Sequence, residues 1–105
     1  MNTNGKILII DDEVDICDQL SGLLNDRGFK AKYCISSEQG INEFKKDAYS
    51  LVILDIWLND SKFDGFQTLE QIKELNETVP IIMISGHGNI ETAVNSIKKG
   101  AYDFI

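Results

Sequence analysis

Three short apolar runs in this chain end at residues that can do phosphate or metal chemistry. Lys6-Ile7-Leu8-Ile9-Ile10 leads into Asp11-Asp12-Glu13, Leu51-Val52-Ile53-Leu54 into Asp55, and Ile81-Ile82-Met83-Ile84 into Ser85-Gly86. Read singly, each has an ordinary explanation. Asp12 can cap a helix, and Asp-Asp-Glu suits the positive end of a helix dipole. Asp55 can be a turn residue, and Ser85-Gly86-His87-Gly88 a strand-to-helix turn. Brought together, clustered carboxylates repel, so they hold protons or are neutralised by a cation. Hard oxygen ligands without His or Cys select Mg²⁺ or Ca²⁺, and a few carboxylates that leave positions to water and phosphate suit Mg²⁺. The loop after the first run lacks the spaced acids and central Gly of an EF-hand. A carboxylate beside Mg²⁺ either holds the metal or attacks a phosphoryl group to form an aspartyl phosphate. Asp55, alone after the most apolar run, is the better nucleophile; Asp11 and Asp12 suit the metal. Ser85 can donate to a phosphoryl oxygen, helped by backbone N–H groups near Gly86.

These groups meet only if the runs are neighbouring strands. Unbroken apolar runs suit strands covered on both faces. Phe29–Ile35 alternates Lys30 and Lys32 with Ala31 and Tyr33, as expected near an edge, and Tyr102–Ile105 begins a fifth strand. Helical periodicity separates them. Val14, Cys17, Leu20, Leu23 and Leu24 form one stripe, stopped by Gly28. Ser36-Ser37-Glu38-Gln39 carries a capping-box pattern ahead of Ile41 and Phe44. Phe66, Leu69, Ile72 and Leu75 make a third stripe, and Ile90, Ala93, Val94 and Ile97 a fourth, closed by Gly100. Strands alternating with helices predict an α/β, doubly wound parallel sheet with right-handed crossovers. In such sheets sites lie beyond the carboxyl ends of the strands, where Asp11, Asp12, Asp55 and Ser85 all fall.

With 105 residues the chain supports one domain, 1–105, which is expected to stop before a final helix. Ten Lys and Arg against 17 Asp and Glu give a net charge of −7, which argues against clamping nucleic acid or an anionic membrane. No apolar run approaches the ~20 residues of a membrane span, and the N-terminus lacks a secretory stretch. Cys17 and Cys34 read as reduced core thiols of a cytoplasmic protein. His87 reads as a solvated loop residue, and Lys45-Lys46 and Lys98-Lys99 as helix ends that complement the dipole.

The ordered set Lys6–Glu13, Leu54-Asp55, Asp64-Gly65, Ile84-Ser85-Gly86 and Gly100–Phe104 resembles the receiver domains of two-component response regulators over essentially the whole chain. Ser85–Ala93 and the Trp57-Leu58 loop resemble the NtrX/NtrC-like nitrogen-regulation branch. The resemblance implies five parallel strands in the order 2-1-3-4-5, as in the flavodoxin-like and CheY-like folds. It implies phosphoryl transfer from a sensor histidine kinase to Asp55, with Mg²⁺ held by Asp11, Asp12, Asp55 and the main-chain carbonyl of Trp57. Ser85 becomes the switch hydroxyl and Phe104 the aromatic whose rotamer follows it, while Tyr102 packs. The implied role is a transcription-regulating switch rather than a turnover enzyme, although slow self-dephosphorylation is expected. Implied partners are the kinase, output ATPase and DNA-binding domains of the parent chain, and a second copy in a homodimer. Two features depart from the family pattern: Ile56–Phe63 is long and lacks Pro, and the chain stops before the place of the usual Lys after strand five. The alternatives are a Mg²⁺-dependent aspartyl-phosphate phosphatase, although Trp57 stands where such enzymes place a second Asp, and an FMN carrier, which Asp11-Asp12-Glu13 would repel.

Overall fold

Strands β1 (Lys6–Ile10), β2 (Lys30–Cys34), β3 (Leu51–Asp55), β4 (Ile81–Ile84) and β5 (Asp103–Phe104) pair in parallel as one sheet, ordered β2-β1-β3-β4-β5. The expected strand order is therefore found, with β3 at the centre and the Lys30/Lys32 strand at an edge. Helices α1 (Val14–Asp26), α2 (Ser37–Lys46) and α3 (Gly65–Leu75) fill three of the connections. The computed structural model describes residues 5–58, 63–84 and 100–104. The expected fourth helix, Ser85 to Gly88, and Lys98-Lys99 lie outside those residues.

Alternation along each strand divides the sheet's side chains between two cores. Ile7 and Ile9 pack with Cys17, Leu20 and Leu24 of α1. Leu8, Ile10, Val52, Leu54, Ile81 and Met83 face the other way, onto Ile41 and Phe44 of α2 and Leu69 and Ile72 of α3. Both faces of the central strands are covered, which is why β1 and β3 read as unbroken apolar runs. Cys17 and Cys34 are free, buried thiols.

Two stripes are narrower than the sequence implies. Cys17, Leu20 and Leu24 form the buried row of α1, but Val14 and Leu23 are 46% and 51% exposed. Val14 is the first helical residue, beyond the end of β1. Leu23 lies on the flank of the helix, where it lines an apolar groove with Ile16, Leu20, Ile53, Ile82 and Ile84. Leu75, the last residue of α3, is also exposed.

The helix ends follow local chemistry. Gly28 (φ +93°) ends α1 in a Schellman motif, with its N–H on the Asn25 carbonyl and Phe29 N–H on that of Leu24, each 3.1 Å. Ser36 caps α2 by accepting from Gln39 N–H at 3.2 Å, but Gln39 reaches back to Ile35 N–H, so the predicted box is half formed. A complete box stands instead at α3, where Asp64 and Gln67 exchange bonds of 2.8 and 3.0 Å.

Candidate metal and phosphoryl site

Register decides which acids meet. Ile10 lies beside Leu54 in the β1–β3 ladder, so Asp11 and Asp55 leave the sheet at the same height on adjacent strands. Asp12 follows on the turn into α1. One carboxylate oxygen from each of Asp11, Asp12 and Asp55 lies within 4.8 Å of the others. The three acids expected to converge do so. Asp12 does not cap α1; the N-cap is Glu13, whose side chain makes no cap hydrogen bond.

Asp11 is buried at 1% exposure and held by hydrogen bonds at its N–H, carboxylate and carbonyl. Its N–H donates to the Cys34 carbonyl (3.1 Å), its Oδ1 accepts from Glu13 N–H (2.9 Å), and its carbonyl accepts from Cys17 Sγ (3.3 Å). Asp55 is held similarly: Oδ1 accepts from Trp57 N–H (3.1 Å), and Ile56 N–H donates to the Ile84 carbonyl (3.1 Å). The Gly65 N–H closes the loop on the Ile56 carbonyl at 3.1 Å. A Cβ on Gly65 would fall 2.4 Å from Ile56 Cα and 2.5 Å from the Asp55 carbonyl, so only glycine permits this approach.

Burial first, then the charges of Asp11 and Asp12, push the Asp55 carboxyl up to about 7, against the pull of the Trp57 N–H. Asp11 is raised as well, chiefly by burial. Because the two acids face each other at close range, both are pushed toward the protonated form. A divalent cation would oppose both shifts by favouring the ionised carboxylates. The donors are all hard carboxylate oxygens, which fits Mg²⁺. The neighbouring Cys17 thiol is no soft competitor, since burial pushes it up to about 12.

Ile84 lies beside Asp55 in the β3–β4 ladder, so Ser85 follows immediately in the chain, outside the described residues. Phe104 belongs to β5 and registers with Met83, while its side chain is outside what is described. Trp57 is 51% exposed beside the acids. Tyr102 was expected to pack and instead is 74% exposed; it lies in the bend before β5, where Ala101 takes the buried position. Two buried hydroxyls escaped the sequence reading: Thr68, whose Oγ1 donates to the Asp64 carbonyl at 2.7 Å, and Ser37. The Asp64-x-x-Gln67 pattern was a usable signal for the α3 start; nothing local marks Ser37.

The sequence matches the response regulator receiver domain family over residues 7–105. It is 48% identical over 99 residues to the nitrogen assimilation regulatory protein NtrX of Azorhizobium caulinodans, covering 94% of this chain and 22% of that protein. The chain thus spans about a fifth of the length of such curated relatives. The crystal structure of the receiver domain of NtrX from Brucella abortus superposes with a TM-score of 0.90 at 47% identity, over 94% of this chain and 82% of that one. The solution structure of a beryllofluoride-activated NtrC4 receiver domain dimer gives 0.86 at 34% identity, over 94% and 80%. This likeness leaves the phosphatase alternative without support. Sequence, strand order and acid cluster agree that the chain belongs to the response regulator receiver domain family, a signalling domain of two-component systems.

Proposed function

We propose that residues 1–105 act as a phosphorylation-controlled switch in which Asp55 accepts the phosphoryl group of a sensor histidine kinase. The observation that carries this is the meeting of Asp11, Asp12 and Asp55 within 4.8 Å at the carboxyl ends of β1 and β3. A carboxylate oxygen of Asp55 attacks phosphorus, the P–N bond to the kinase histidine breaks, and the electron pair leaves with the imidazole. Bound Mg²⁺ would neutralise the acids and the phosphoryl oxygens. Asp11 and Asp12, with Asp55 and the Trp57 carbonyl, would hold it. The Trp57 N–H fixes one Asp55 oxygen and leaves the other as the nucleophile. Ser85 would bind a phosphoryl oxygen and Phe104 would follow its movement, carrying about −2 of added charge into a change of surface.

The parent protein implied by the family resemblance would carry ATPase and DNA-binding output domains, and a link to nitrogen follows the name of the NtrX relative. A homodimer is the natural active form, given the NtrC4 receiver dimer. The domain would work in the cytoplasm; among the described residues no helix is long and apolar enough to cross a membrane. It would not turn over substrate in the manner of an enzyme.

Incubation with Mg²⁺ and acetyl phosphate is expected to add the mass of one phosphoryl group. Asp55→Asn is expected to abolish the addition, and unchanged labelling in that variant refutes the assignment.

A further inference from the structure

Ser37, the first residue of α2, is fully buried, and the mechanism above does not use it. It is not the cap of its helix, because Ser36 performs that task. Its Oγ instead accepts from the N–H of Phe63, 26 residues away, at 3.0 Å, and donates to Glu38 Oε1 at 2.6 Å.

Phe63 stands at the return of the connection that leaves Asp55. Two residues later Gly65 N–H holds the carbonyl of Ile56, which lies between Asp55 and Trp57. The same helix rests directly on β1. A Cβ on Gly40 would fall 2.4 Å from Ile10 Cδ1, and Ile10 is the residue before Asp11. The α2 helix therefore bears on both strands that present the acids: on β1 by packing, and on the connection after β3 by the shared apolar core and by the Ser37 hydroxyl.

We propose that Ser37 is a positioning residue for the divalent-cation site: by holding Phe63 against the start of α2, its hydroxyl sets the backbone at Ile56–Trp57 relative to Asp11 and Asp12. This rests on the reading of the acid cluster as a Mg²⁺ site. A loosely held Trp57 carbonyl and Asp55 carboxylate lose pre-organisation, and the metal is bound more weakly although every ligand is present.

The test is a titration of the chain with MgCl₂ well below its melting temperature, followed by calorimetry and by the fluorescence of Trp57, the only tryptophan. Ser37→Ala is expected to raise the Mg²⁺ midpoint about three- to tenfold, the equivalent of one net hydrogen bond. Ile72→Val, a core change in α3 that also lowers stability, is expected to keep the parental midpoint. A Ser37→Ala midpoint equal to the parent's, or an Ile72→Val midpoint shifted as far, overturns the positioning role while the metal reading stands. A parent chain that binds no Mg²⁺ by calorimetry overturns the metal reading and the positioning role together.

Discussion

A carboxylate oxygen of Asp55 at the end of β3 and one of Asp11 at the end of β1 lie within 4.8 Å of each other, with an oxygen of Asp12 within the same distance of both. Burial and like charge both disfavour the ionised forms, so without metal the cluster is pushed toward protonation. The arrangement stores repulsion that a divalent cation relieves, and this makes the fold's stability a reporter of the site.

Asp55 sits near 3.8 in the unfolded chain and at about 7 in the folded one. Below pH 4 both states are protonated and the acid cluster carries no penalty. Between pH 4 and 7 the unfolded state releases a proton that the folded state keeps, so stability falls as pH rises through this window. Asp11 is shifted in the same direction. Asp55 is only partly buried and solvent screens it, so the swing between pH 5 and pH 8 is about 2 kcal/mol. Urea melts of metal-free chain at these two pH values check it. The slope is expected to flatten in saturating Mg²⁺ and in Asp55→Asn, and a metal-free chain more stable at pH 8 than at pH 5 contradicts it.

Asp12→Asn removes one charge from the cluster while keeping its shape. Without metal at pH 8 the variant is expected to be more stable than the parent, by about 1 kcal/mol, because the remaining acids are relieved of a like charge. Its Mg²⁺ affinity is expected to drop by at least about tenfold, since ligand charge sets the strength of such sites. Opposite signs for stability and affinity distinguish a metal site from a structural acid cluster, where both would fall.

Lys73 provides a contrast at the other end of the sheet. Its Nζ donates to the carbonyls of Glu77 (3.2 Å) and Val79 (2.8 Å), and its stem lies 3.4 Å from where a Gly100 Cβ would be. Lys73→Met keeps the stem and loses both bonds, so a loss of about 1–2 kcal/mol is expected, with Lys73→Ala worse. The Mg²⁺ midpoint and the phosphodonor labelling of both variants are expected to equal the parent's.

How much of this could be read beforehand depended on the range of the interaction concerned. Helices and strands announced themselves because periodicity and caps act over a few residues, as at Gly28 and along Ile7–Ile10. Asp11 and Asp55 were visible as ends of apolar runs, but their adjacency depends on β1 lying beside β3, a non-local fact that family resemblance supplied and spacing did not. Ser37 was invisible because its partner is Phe63 and no local pattern encodes a bond across 26 residues. Val14, Leu23 and Tyr102 were misjudged for a related reason. A hydrophobic residue states that burial is favourable, not that a neighbour exists to provide it.

Two glycine-to-alanine changes separate the backbone demands of the site from ordinary helix propensity. At Gly65 the added carbon meets only backbone: Ile56 Cα at 2.4 Å, the Asp55 carbonyl at 2.5 Å and the Ile56 carbonyl at 2.6 Å. None of these atoms can rotate aside, so the strand end carrying Asp55 must move. Gly65→Ala is therefore expected to lower stability by about 2–3 kcal/mol, as overpacking does, and to slow labelling by a phosphodonor. Gly22 is exposed in the middle of α1, with nothing within 4 Å of the position a Cβ would take. There alanine restricts the unfolded chain and meets no obstacle, so Gly22→Ala is expected to gain about 0.5–1 kcal/mol with unchanged labelling. Thermal melts and intact-mass time courses on the two variants read both effects. Equal labelling rates would mean that the Asp55–Ile56 backbone tolerates displacement, and that the close packing of Gly65 serves the fold alone.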